Sequence, residues 1–285
     1  MALRFVKMQG AGNDYVYMDG LRQDLPADLP GLARRISDRN FGVGGDGLIC
    51  LLEPTTSEAH IRMRMFNNDG SESEMCGNGI RCVAKLAWDD GLARHNPMRI
   101  ETGRGVLSLD LKIGSDGKVE AATVDMGEPI LELDRIGVDP SVRPLGEHRH
   151  EIITSRGPRE ATFVSMGNPH AVLYVDDLAH VSLRDEGPEI ENHPIFPRRM
   201  NVHFVQVMSP TEVRVLHWER GTGRTLACGT GACAVCVAGV LTGRTEREIV
   251  AHLPGGDLRL RWDAARRHVF KTGPAVEVFR GEWSE

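Results

Sequence analysis

The sequence predicts an α+β protein built from two related halves that face one another across a cleft. Three observations carry this expectation. The chain is 285 residues long, more than a single hydrophobic core usually serves. Short apolar or alternating runs bounded by Gly, Asn and Pro outnumber the helical stretches. A polar loop that delivers Cys-Gly-x-Gly, followed by a helix-forming run, occurs twice, as Asn67 to Gly79 and as Glu219 to Gly231.

In the first half, Tyr15 to Met18 reads as a strand after the turn Gly10-Ala11-Gly12-Asn13-Asp14, and Asp19-Gly20 breaks it. Leu32 to Arg39 has helical character, with Pro30 near its start. Leu48 to Leu52 is a short buried strand. Ile61, Met63 and Met65 alternate with Arg62, Arg64 and Phe66, a period of two that suits a half-buried strand. The Cys76 loop and its helix follow, and Gly91 ends that helix. Strands return at Met98 to Glu101 and at Leu107 to Ile113, where Ser115-Asp116-Gly117 makes a hairpin turn.

The second half repeats the order. Ala161 to Ser165 is a strand, Met166-Gly167-Asn168-Pro169-His170 a turn, and Ala171 to Val175 a strand. Strands at Val202 to Val207 and Val213 to Trp218 precede the Cys228 loop and helix. Cys76 follows Asn13 by 63 positions and Cys228 follows Asn168 by 60; Asn67 and Glu219 each stand nine before their cysteine. That spacing supports a duplication. The expected domains are 1–123 with the strand segment 274–285 returning to it, and 124–273.

Composition narrows the function. Hydrophobic residues make up 41% and charged residues 26%, as in an ordinary globular protein. No apolar run approaches the ~20 residues of a membrane span, and the opening Met1 to Met8 lacks a signal peptide's apolar core. A cytoplasmic location with no membrane partner is expected. A net charge of −6 argues against a nucleic-acid partner. The six cysteines of such a chain read as free, buried or catalytic thiols, not as a disulfide framework.

A cysteine where a helix begins meets unpaired N–H groups and the positive end of the macrodipole, which lowers its pKa and favours thiolate. Two such thiols, Cys76 and Cys228, suggest a two-base site. One as thiolate removes a proton from carbon while the other as thiol delivers a proton to the opposite face, inverting configuration. The N–H groups of Gly77, Asn78, Gly229 and Thr230 are placed to cradle a substrate carboxylate as charge builds. Neither a phosphate-binding loop nor a pyridoxal lysine signature is present, so the expected reaction uses no cofactor.

These motifs resemble the diaminopimelate epimerase family over nearly the whole chain. The resemblance rests on Gly12-Asn13-Asp14, Gly42-Val43-Gly44-Gly45-Asp46-Gly47, Phe66 to Ser71, Cys76-Gly77-Asn78-Gly79, Met166 to His170, Asn201-Val202, Glu219-Arg220-Gly221 and Ala227 to Gly231. It implies two pseudo-symmetric α/β-barrel-like domains with the active site in the cleft between them, and a homodimer. It implies interconversion of LL- and meso-diaminopimelate in lysine and peptidoglycan precursor synthesis, with Cys76 and Cys228 as the bases and no metal. It further implies that Asn13, Asn67, Asn168 and Asn201 bind polar groups of the substrate, that Glu219 meets its ammonium, that Arg220 holds the distal carboxylate and that His170 supports the thiol chemistry. The chain departs from the family's pattern at Gly47, where many members carry Gln, and at Phe279, where a tyrosine often stands at the dimer contact.

Each motif also has a plainer reading. Gly42-x-Gly44-x-x-Gly47 matches a dinucleotide fingerprint, but a strand follows it where a helix is needed. Cys233-Ala234-Val235-Cys236 has no second pair or histidine at zinc spacing and is assigned to core packing, as are Cys50 and Cys82. His170 alone reads as a turn cap, and Glu219-Arg220 as a solvated ion pair; their places in the repeat favour function. A histidine or proline racemase on the same scaffold is the competing enzyme, with Asn78 standing where proline racemases usually carry His. A zinc- or redox-sensing protein using the cysteine cluster is the competing class.

Overall fold

The computed structural model describes residues 2–284. The chain divides into two compact units, Met1–Asp125 with Thr272–Glu285, and Met126–Lys271. Both are α+β.

The first unit begins with β1 (Ala2–Gly10) and β2 (Asn13–Asp19), then α1 (Leu29–Ser37), β3 (Gly47–Leu52), β4 (Ile61–Asn67), β5 (Glu72–Ser73), α2 (Gly79–Asp89), β6 (Met98–Thr102), β7 (Gly105–Ile113) and β8 (Val119–Asp125). Helix α1 starts earlier than its apolar pattern suggests. Asp28 Oδ1 accepts from Gly31 N at 2.8 Å, and Pro30 sits in the first turn, where its missing N–H costs no bond. In β4 the alternation holds as far as Met65: Ile61, Met63 and Met65 are buried, and the half-buried Arg64 forms a two-pronged pair with Glu72. Phe66, expected on the face of Arg62 and Arg64, is instead fully buried and packs into the core. The core gathers Phe5, Val16, Leu32, Ile36, Leu48 and Phe66.

The second unit runs through α3 (Leu133–Ile136), β9 (Arg143–Gly146), β10 (Arg149–Thr154), β11 (Gly157–Ser165), β12 (Pro169–Tyr174), α4 (Leu183–Glu191), β13 (Asn201–Ser209), β14 (Glu212–Glu219), β15 (Gly223–Thr225), α5 (Gly229–Leu241), β16 (Glu248–Leu253) and β17 (Gly256–Trp262). Strand β18 (Val269–Pro274) leads to β19 (Val276–Ser284), which pairs antiparallel with β1. Phe163, Leu173, Ile190, Phe196 and Phe204 are central to this core.

The pairings disclose the duplication. From β1 the partners are β1–β2 antiparallel, β2–β3 parallel, β3–β4 antiparallel, β4–β5 antiparallel, β4–β6 parallel and β6–β7 antiparallel. From β11 the same six relations recur between β11 and β17 in the same order. Each parallel pair needs a crossover. Helices α1 and α4 serve the first crossover of each unit, α2 and α5 the second. Helix α2 touches β1, β2, β3, β4, β6, β7 and β8 of its unit, and α5 touches β11, β12, β13, β16 and β17. Such surroundings favour an apolar helix, and in α5 Gly231 through Gly239 are all buried. Helix α2, by contrast, also buries Arg81, whose guanidinium donates to Gly77 O and Asn78 Oδ1. Cys233 and Cys236 lie within the buried run of α5, and Cys82 is buried in α2. Burial pushes the thiols of Cys50 and Cys236 up to about 12 and that of Cys82 to about 11, as core packing requires.

Candidate active site

Each unit presents one cysteine near the start of its central helix, but the two cysteines are placed differently. Cys228 is the N-cap residue of α5. Cys76 stands two residues before Asn78, the N-cap of α2. Its sulfur accepts Gly79 N–H at 3.3 Å, and its thiol donates to Asn13 Oδ1 at 3.2 Å.

Around Cys76 a charged network sets the orientation of Asn13. The amide Nδ2 of Asn13 donates to Asp46 Oδ2 at 2.5 Å, which turns Oδ1 toward the thiol. Arg39 bridges Asp46 at 3.0 Å and Asp14 at 2.7 Å, and Lys7 pairs with Asp14 at 2.6 Å. The Lys7 ammonium also donates to Gly44 O. These bonds account for the Gly-rich loop: its backbone carries Asp46 to Asn13, and Asp46 N donates to Asp14 O at 2.7 Å. Gly47 has a separate cause, since a Cβ there would lie 2.0 Å from Phe66 O. Tyr15 lines the same site, and burial together with Cys76 and Asp46 drives its phenol pKa upward. Asn67 closes a turn with Ser71 through Nδ2 to Oγ at 2.9 Å. Asn78 is buried, and with Gly77 O its side-chain Oδ1 accepts from the Arg81 guanidinium.

In the second unit the thiol expectation is corrected. Placement at a helix start favours thiolate, yet the Cys228 pKa is driven well above its ordinary value, first by burial and then by the Glu219 carboxylate. Thr230 and Gly231 oppose this, with Thr230 Oγ1 3.7 Å from the sulfur, and lose. A cap position alone does not set a thiol's charge; desolvation and a neighbouring anion outweigh it here.

The position of His170 is corrected as well. It lies within β12, not in the preceding turn, because Pro169 occupies the first strand position, where no N–H is needed. His170 pairs across β12 and β13 with Asn201, and its ring is fully buried. His170 Nε2 is 3.0 Å from Asn168 Oδ1, and Nδ1 is 2.8 Å from His203 Nε2; His203 Nδ1 is 2.7 Å from His217 Nδ1. An amide oxygen only accepts, so the protons are ordered along the chain. His170 donates to Asn168, His203 to His170 and His217 to His203. His217 Nε2 is then a bare acceptor, and it is buried with no partner among the described residues. Burial depresses all three rings, His170 and His217 to about 3, so each is neutral.

The Glu219-Arg220-Gly221 loop is held by residues that no motif announced. Glu191, 5% exposed, accepts Gly221 N at 2.9 Å, Trp218 Nε1 at 2.7 Å and Arg199 Nη1 at 3.2 Å. Asn201 Oδ1 accepts Arg220 N at 3.0 Å while its Nδ2 donates to Pro169 O at 2.7 Å. Arg220 Nη1 reaches Arg198 O at 2.8 Å. The first N–H groups of α5, at Gly229 and Thr230, have no partner within the helix. Gly231 lets α5 approach, since a Cβ there would meet the His203 ring at 2.3 Å. In the first unit the thiol thus meets both Asn13 and the helix start, whereas in the second Cys228 caps the helix and Asn168 is held by His170. Phe279 lies elsewhere, on β19, with 45% of its surface exposed and its ring edge-on to Phe5 at 5.8 Å.

Known proteins resemble the chain in sequence and in fold. The sequence pattern of the diaminopimelate epimerase family matches residues 5–132 and 162–278. The chain is 48% identical over 283 residues to the diaminopimelate epimerase of Moorella thermoacetica, with 99% of each covered. It is 50% identical over 288 residues to that of Leptospira biflexa, again with 99% of each covered. Among solved structures it is similar to a PhzF-family phenazine biosynthesis protein of Bacillus anthracis, with TM-score 0.69, 16% identity and full coverage of both chains. It is also similar to a hydroxyproline epimerase of Agrobacterium vitis, with TM-score 0.66 and 17% identity over 99% of this chain and 91% of that one. The two structural neighbours share the fold. With the family pattern matched in both units and relatives about half identical from end to end, the chain belongs to the diaminopimelate epimerase family.

Proposed function

We propose that the chain is an isomerase that interconverts LL- and meso-2,6-diaminopimelate, on the route to lysine and peptidoglycan precursors, by moving one α-proton between Cys76 and Cys228. The observation that carries the reading is the pair of thiols, one at or just before the start of the central helix of each unit. Cys228 is kept protonated by burial and Glu219, as the acid must be. The Cys76 sulfur takes an N–H from the start of α2 and gives its own proton to Asn13 Oδ1.

In this reading the Cys76 thiolate takes the α-proton from one face and Cys228 S–H delivers its own proton to the other. The reverse direction exchanges the roles. The reading requires both thiols to reach one α-carbon from opposite faces. The N–H groups of Gly77, Asn78, Gly229 and Thr230 stabilise the developing carboxylate charge. With its oxygen committed to His170, Asn168 has only N–H groups to offer the substrate. His170 is therefore a positioning residue for Asn168. Glu219 meets the ammonium, while Asn13, Asn67 and the second amide N–H of Asn201 bind polar groups. Arg220 forms the fork for the distal carboxylate. None of these roles needs a cofactor. The working form is a cytoplasmic homodimer that meets through β19 around Phe279, where Val276 and Val278 are also exposed.

NMR detection of α-deuterium incorporation in deuterated water tests the proposal across a panel of diaminopimelate, histidine and proline. Exchange confined to diaminopimelate is expected. Faster exchange of histidine or proline would replace the substrate assignment.

A further inference from the structure

Around Cys228 the second unit holds a cluster whose chemistry is that of a metal site. His170, His203 and Cys228 are all buried, and their ligand atoms lie within 4.8 Å of one another. Two imidazoles and a thiol form a set suited to Zn2+. We propose that these three residues bind Zn2+, or a similar transition ion, as an inhibitory site that shuts the enzyme by taking the Cys228 sulfur.

The surrounding hydrogen bonds can accommodate this role through tautomer shifts. A metal-bound histidine donates its other ring N–H to a partner. His170 already donates Nε2–H to Asn168 Oδ1 at 3.0 Å, leaving Nδ1 for the ion. His203 would bind through Nε2 and move its proton to Nδ1, where His217 Nδ1 stands 2.7 Å away. His217 would in turn carry its proton on Nε2, the buried nitrogen that now has no partner among the described residues. The histidines thus rearrange by tautomer alone, and none changes charge. Only Cys228 ionises: the S–H bond breaks, an S–Zn bond forms, and one proton leaves to solvent. Glu219, which borders that sulfur, is the candidate fourth ligand and adds a second negative charge. Coordination needs small movements. Tetrahedral bonds of about 2.0–2.3 Å set donor atoms roughly 3.3–3.7 Å apart. The two ring nitrogens, at 2.8 Å, must part slightly, and the sulfur must swing inward.

The binding arm of the test is independent of the epimerase reading, whereas the inhibition arm rests on it. Full-length protein titrated with CoCl2 should show one equivalent of bound ion with a thiolate-to-cobalt charge-transfer band. Cys76→Ala should keep that band and Cys228→Ala should lose it. His203→Gln, which alters no residue placed in the reaction, should weaken cobalt binding about tenfold or more. Should that variant fail to fold by circular dichroism, the two cysteine variants still decide. ZnCl2 should abolish epimerisation by the unaltered protein, and EDTA should restore it. No charge-transfer band, a band that survives Cys228→Ala, or undiminished affinity in a folded His203→Gln would overturn the site. A cobalt band that vanishes in Cys228→Ala, without zinc inhibition, would overturn the inhibitory role and count against Cys228 as a base.

Discussion

Asn13 receives the Cys76 thiol on its amide oxygen at 3.2 Å, and the opposite end of the same amide is fixed by Asp46 at 2.5 Å. A carboxylate can only accept, so the Asn13 amide cannot flip while Asp46 is charged. Asp46→Asn removes that constraint and leaves Arg39 without one of its two anions. It should lower kcat by about 10²-fold, the usual cost of misplacing a reacting group, with a smaller change in KM. Steady-state kinetics check the split, and the rate of Cys76 alkylation should change in the same variant.

The buried histidines make the second unit sensitive to acid. An unfolded histidine titrates near its ordinary 6.5, whereas His170 and His217 are depressed to about 3. Their folded pKa lies below the unfolded one, so stability is full above pH 6.5 and is lost as pH falls toward 3. Each ring adds a slope of about 1.4 kcal/mol per pH unit within that window. His217→Gln should flatten the slope measured by denaturant unfolding between pH 6 and 4. An unchanged slope would show that the ring is already protonated in the folded chain.

Gly231→Ala places a methyl group 2.3 Å from the His203 ring. The neighbouring helix and ring must separate, at a cost of about 1–3 kcal/mol. Thermal unfolding should register the loss, and Gly243→Ala provides the contrast. Gly243 has φ +68° but nothing within 4 Å of its added Cβ, so its cost is backbone strain alone.

Arg220→Lys keeps a cation and removes the fork. KM for diaminopimelate should rise by about tenfold or more, since two parallel N–H bonds are replaced by a point charge. An amino acid without a distal carboxylate should show little change in its exchange rate. Equal effects on both would remove Arg220 from distal recognition.

What could be read from the sequence was local or repeated. The period of two in Ile61 to Met65 and the all-apolar face of α5 follow from their residues, and the twin loops foretold the matched pairings of β1–β7 and β11–β17. Cooperative properties were hidden. Glu191 belongs to no motif, and its role emerges only when β14 brings Trp218 and Gly221 to it. His203 and His217 each look like a lone histidine in an apolar strand; pairing β12, β13 and β14 aligns them with His170. The rise in the Cys228 pKa is of the same kind. A helix start is visible in sequence, whereas the burial and the Glu219 carboxylate that oppose it are assembled by the fold.

The sharpest test follows the label in the first turnovers of LL-diaminopimelate in deuterated water. Two thiols on opposite faces predict meso product deuterated at the inverted centre while the unconverted substrate keeps its protium, with Cys76→Ser and Cys228→Ser each lowering turnover about 10³-fold. Early product that retains the original protium, or either serine variant turning over at the normal rate, would contradict the account.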